Sequence, residues 1–132
     1  MSEVEEYEFE EPCVMRLEDR LERLEEEIES AQKRFQELNS SFVELIGRRR
    51  PRGDLTYQAI RWYVQLLDWD NWDDLQADLE EWDSHLRFLQ KAVAEWNSIN
   101  EDIYLTLRGR CIDCTAVLAS NGSIKLLMET VM

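Results

Sequence analysis

Cys111 and Cys114 form the one Cys-x-x-Cys pair of the chain, and with Cys13 and His85 they would complete a three-Cys, one-His zinc set. Cys13 and His85 come from distant, unpatterned positions. The thiols are therefore read as small apolar packing groups, and no metal or other cofactor is expected. His85 falls on the flank of a helical seam, where a solvated imidazole is expected in preference to a ligand or base. Asp73/Asp74 and Glu80/Glu81 set carboxylates side by side, the residue type that general acid–base catalysis uses. On a helix these positions face outward, and a charge run there ordinarily serves solvation. The sequence holds no Gly-rich phosphate loop and no nucleophile elbow. A non-enzymatic protein without a small-molecule substrate is the expectation.

Charge narrows the partners. The 132 residues carry a formal net charge of -14, a poor match for nucleic acid or an anionic membrane, so direct binding to either is not expected. Segment 1–11 holds six Glu and no base, and reads as an acidic disordered tail or as an acidic-aromatic docking peptide. Arg48, Arg49, Arg50 and Arg52 make a basic joint over 47–53. The joint complements the negative end of the helix before it, or serves as a nuclear-import-like or phosphate-contacting patch. Three cysteines disfavour a disulfide framework, and no apolar run suits a membrane span or leader. An intracellular setting follows, cytoplasmic or, through Arg48–Arg52, nuclear.

Positioning these groups falls to helices. Val14, Leu17, Leu21, Leu24, Ile28, Ala31, Phe35, Leu38, Phe42 and Leu45 alternate three and four residues apart, which is a coiled-coil seam. Pro12 suits a first helical turn and Gly47 a C′ position, predicting a helix over 12–46. Trp72, Leu75, Leu79, Trp82, Leu86, Leu89, Val93, Trp96, Asn100, Ile103 and Leu107 repeat the pattern over 71–108, with Asp70 as N-cap and Gly109 as terminator. Between them, Asp54 caps a short bridging helix over 55–67 that buries Leu55, Ala59, Trp62, Tyr63, Leu66 and Leu67. Asn100 at a seam position has three readings: a register residue paired with its own copy, the site of a helix break, or a side chain facing water.

After Gly109 two folds compete. Asn121-Gly122 between apolar runs is a hairpin turn with strands near 111–118 and 124–131, whereas Ala, Leu, Met and Glu tilt the segment toward a helical pair. The end Thr130-Val131-Met132 also matches a minimal PDZ-ligand pattern. The expected fold is all-α: a long helical hairpin with a coiled-coil seam, a short bridging helix, and a C-terminal segment 109–132 that is a helical pair or a small β-hairpin.

The expected function is a protein–protein interaction or scaffold subunit. Seams larger than one helical hairpin buries predict a homo- or hetero-oligomer. The partner surface is placed at Trp62, Trp82, Phe88, Trp96, Ile99, Tyr104 and Leu105, because aromatic anchors dominate interfaces. The alternative is an acidic nucleic-acid mimic that occupies a basic groove on its target.

Overall fold

The computed structural model describes residues 2–47, 55–67, 71–108 and 113–129, with side chains over 14–47, 55–66, 71–108 and 114–128. It contains helices α1 (Ser2–Ile46), α2 (Tyr57–Leu67) and α3 (Trp72–Thr106), followed by strands β1 (Asp113–Leu118) and β2 (Ile124–Glu129). The fold is mostly helical, and the C-terminal segment is an antiparallel β-hairpin, not the helical pair that composition favours. Among the described residues, no helix is long and apolar enough to cross a membrane.

The seam of α1 is used inside the chain. Leu24, Ile28, Phe35, Leu38 and Phe42 are buried, and Leu17 and Leu21 pack against the same core. Their partner is α3, which runs antiparallel and contributes Leu79, Trp82 and Leu89, each without solvent exposure. Trp82 packs its ring on Phe35 at a centroid distance of 5.3 Å, and its Nε1 donates to Asn39 Oδ1 at 3.2 Å. That bond removes the cost of burying an indole N–H. Leu79, Trp82, Leu89, Val93 and Ile103 are the seam expected from sequence, while Ala92 and Ile99 extend the buried face beyond it.

Three boundaries differ from the sequence reading. α1 continues through 2–11, where a disordered tail was expected; glutamates near a helix N-terminus favour the helix through the macrodipole. α2 is capped by Thr56, whose Oγ1 accepts from Ala59 N at 3.1 Å, while Asp54 lies outside the described residues. Its inward stripe is Leu55, Ile60 and Val64. Trp62, expected inside, is 59% exposed and stacks edge-on against Tyr63, and Leu66 is also exposed. The i,i+4 pair Ile60 and Val64 turns the helix so that Trp62 faces out. α3 ends at Thr106, with Arg108 in the left-handed region at φ 55, so the left-handed terminator falls one residue before the expected Gly109, which lies outside the described residues.

Both glycines with positive φ sit at turns. Gly47 follows α1 at φ 58 with open space around its missing Cβ. Gly122, in the β-hairpin turn at φ 88, is different: a Cβ there would lie 2.6 Å from Phe35 Cδ1 and 3.3 Å from Gln36 Cγ. Gly122→Ala therefore combines backbone strain with a clash in the core and should cost roughly 3 kcal/mol, against about 1 kcal/mol for Gly47→Ala. Urea denaturation of the two variants checks the ranking.

Candidate interaction site

The β-hairpin is held to the helices by side-chain amides. Asn97 Nδ2 donates to the Ala116 carbonyl at 2.9 Å, and Ala116 N donates back to Asn97 Oδ1 at 2.7 Å. One amide thus satisfies both main-chain groups of Ala116, as a neighbouring strand would. Asn100 Nδ2 donates to the Cys114 carbonyl at 2.7 Å. At the other end, Gln32 Nε2 on α1 donates to the Gly122 carbonyl at 2.7 Å. The turn closes on itself: Gly122 N donates to Ala119 O at 3.0 Å, and Asn121 Oδ1 accepts from Ser123 N at 3.0 Å.

These bonds fix which strand edge is covered. The Ala119 N to Ser123 O bond at 2.8 Å sets the alternation of the antiparallel ladder, so Val117↔Lys125 and Thr115↔Leu127 are the hydrogen-bonded pairs. Main-chain groups of Cys114 and Ala116 point away from β2, toward α3. Those of Leu126 and Met128 point away from β1, and none has a hydrogen-bond partner among the described residues. Among the described residues, β2 is therefore an open edge strand.

The side chains around that edge are apolar. Ala116 and Ile124 face the helices, and Ala116 is buried. Leu126 and Met128 share that inner face yet remain 51% and 66% exposed, because β2 projects beyond α3. Beneath it lies a cleft of about 280 Å³ whose lining includes Ile28, Trp96, Ile124 and Leu126, with Glu25 and Glu29 of α1 along it. Glu25 Oε1 accepts from Trp96 Nε1 at 3.0 Å. On the opposite face of the sheet Val117 and Leu127 are also exposed.

Carboxylates join the helices. Arg34 donates from Nε and Nη2 to Glu81 at 2.6 and 2.9 Å, His85 Nε2 lies 3.4 Å from the same Glu81, and Arg20 meets Glu95 at 2.9 Å. The two Arg–Glu bridges are two heptads apart on each helix, so they fix one antiparallel alignment of α1 and α3. Tyr57 Oη donates to Glu80 at 2.5 Å, which ties α2 to α3 and pushes the phenol up from its ordinary value. Glu80 and Glu81 are thus bridging groups, where the sequence reading made them a solvated face; α3 has neighbours on two sides, so its flanks meet other helices. The forked hydrogen bond from Arg34 holds the Glu81 carboxyl down at about 2.

The expected partner residues divide. Trp62, Leu105 and Phe88 reach the surface, Trp96 and Tyr104 are half-buried, and Trp82 and Ile99 lie in the core. Trp82 and Ile99 therefore act as packing residues, both in the core cluster that α1 and α3 share. Asn100 does not break the helix; its amide binds β1 within the chain. Sequence reasoning missed Asn97, Gln32 and the exposed Leu126, Leu127 and Met128. The Asn-Gly turn flanked by apolar runs was the signal for the last three. Cys114 is free and half-buried, while Cys111, the Cys13 side chain, Arg48–Arg50, Arg52, Asp70 and Thr130-Val131-Met132 lie outside the described parts.

Compared with known proteins, the chain matches no family model, no curated protein and no solved structure.

Two expectations follow from this geometry. Asn97→Ala strands both main-chain groups of Ala116 and should destabilise the β-hairpin by about 2 kcal/mol. Asn97→Asp should cost at least as much, because a carboxylate oxygen would face the Ala116 carbonyl. Hydrogen exchange at the Ala116 amide reads both. Glu81 titrates below its unfolded value of 4.5, so its contribution is complete above pH 4.5 and is lost as pH falls toward 2. The stability difference between the wild type and Glu81→Gln should shrink across that window in acid-denaturation series.

Proposed function

We propose that this chain is a non-enzymatic protein–protein interaction subunit that presents its C-terminal β-hairpin to a partner. The observation that carries the reading is the exposed apolar surface of the hairpin, Val117 and Leu127 on one face and Leu126 and Met128 on the other, on a sheet anchored at both ends by Asn97, Asn100 and Gln32. Exposed apolar patches on otherwise well-packed domains mark interaction surfaces. The anchoring keeps that patch ordered before binding, which reduces the entropy lost on association. Trp62 and Leu66 on α2 offer a smaller second surface. The seams assigned to assembly are filled within the chain, so an oligomer would form through these outer surfaces. An intracellular setting fits the odd cysteine count.

Affinity capture from source cells tests the reading. The double variant Val117→Ser/Leu127→Ser should weaken capture of a specific partner about tenfold or more, or roughly 1.4 kcal/mol, with the thermal melt unchanged. Glu27→Lys/Glu44→Lys, at exposed positions of α1 outside the lining of the cleft, should have a small effect. If the charge reversal abolishes capture and the serine variant does not, the acidic nucleic-acid mimic replaces this reading. Loss confined to Trp62→Ala would place the partner on α2.

A further inference from the structure

We infer that the open edge of β2 is a strand-addition site, and that its occupant is an extended segment of another protein carrying β-branched apolar and basic residues. The inference rests on the reading of the chain as an interaction subunit and specifies how it binds.

The ladder supplies the first argument. Leu126 and Met128 each direct an N–H and a C=O outward from the sheet, and no described residue meets them. An edge of this kind is a template for one more strand. On the opposite edge Asn97 and Asn100 already occupy both main-chain groups of Ala116 and the Cys114 carbonyl, so among the described residues β2 is the more open side of the sheet.

Space supplies the second. A strand laid along β2 would direct alternate side chains to the inner face, over the cleft floored by Ile28 and Trp96. Leu126 and Met128 already project there without being covered. An apolar residue of the added strand would fill the cleft and cover both.

Charge selects the occupant. Glu29 borders the cleft with no ion pair among the described residues, and Glu25 stands one turn away. Between them and the N-terminal side, Glu18, Asp19, Glu22 and Glu26 are all exposed on α1. A second copy would bring its own α1 and a further -14 to the same place, whereas a basic segment meets opposite charge. Complementary charge of this kind favours encounter and suppresses like-charged competitors.

The probe is a capped peptide of about nine residues alternating Val and Lys, a length suited to one strand. Titration by fluorescence anisotropy against the full chain should show saturable binding. Binding should weaken about tenfold or more when alternate peptide nitrogens on one edge are methylated, because the ladder loses its donors. Replacing Lys by Glu in the peptide should have an effect of similar size.

On the protein side, Leu126→Pro removes one outward N–H and leaves the β1–β2 ladder bonds in place, as tolerated on an edge strand. It should weaken binding about tenfold, with the Ala116 amide still protected from exchange. Glu29→Lys, on the exposed face of α1, leaves the fold untouched and should weaken binding several-fold.

Three results would overturn the proposal. One is the absence of binding by the Val/Lys peptide. Another is equal binding of the methylated and unmethylated peptides, which would reduce the attraction to net charge. The last is a dimer in sedimentation that Leu126→Pro converts to monomer, which would make a second copy the occupant. Partner capture that survives while the peptide fails would leave the interaction reading standing and remove only the strand-addition mode.

Discussion

Phe35 and Trp82, both without solvent exposure, meet at a ring distance of 5.3 Å at the point where α1, α3 and the β-hairpin turn converge. Gly122 closes the third side, so near that a single methyl group would strike the Phe35 ring. Two helices and one turn are thereby fixed by one aromatic contact. From this point the α1–α3 seam runs along both helices, and the hairpin extends over α3 with its position set by Asn97 and Asn100. Core contacts of this density resist one-residue slips, because close-packed interiors cannot absorb a displaced ring without voids or overlap.

A chain with so many carboxylates must still bring two acidic helices together. It does so by placing its few bases at the junction. Arg20 and Arg34 on α1 reach Glu95 and Glu81 on α3, at matching intervals. Exposed pairs of this kind contribute only about 0–1 kcal/mol each. Their value lies in specificity: a shift of one heptad in either direction would set Arg34 or Arg20 beside Phe88 in place of a glutamate, so one of the two bridges is lost. The remaining carboxylates face outward, giving α1 a long negative surface beside the hairpin.

The helical pair was legible because its signal is local and repeated. Ten seam positions from Val14 to Leu45 carry the same spacing, and each is buried or half-buried in the structure. Gly47 adopts the left-handed conformation its place after a helix implies. The hairpin was harder to read. Leu, Met and Ala prefer helix, and what overrides them is tertiary: Asn97 satisfies Ala116 across 19 residues, and Gln32 reaches Gly122 across 90. A polar residue on a seam announces that it needs a partner but not which one, so for Asn100 the sequence leaves register pairing, a helix break and exposure to water all open. In α2 the aromatic residues outweighed Ile60 and Val64 in the sequence reading, although the smaller β-branched pair defines the buried face. Of the residues expected at a partner surface, Trp82 and Ile99 lie in the core, since large aromatics such as Trp82 serve the core as readily as an interface.

The use of Asn97 as a substitute strand has a consequence for assembly size. A sheet with two free edges can grow from either side, and successive additions lead to open polymers. Here one edge is terminated by a side chain that belongs to a helix and cannot be passed along. An addition at β2 of the kind proposed would therefore be a single event, and the sheet would stop at three strands unless the newcomer offered an edge of its own. Under the proposed strand addition this geometry limits each molecule to one added strand, whereas an apolar sheet open on both sides could seed fibres.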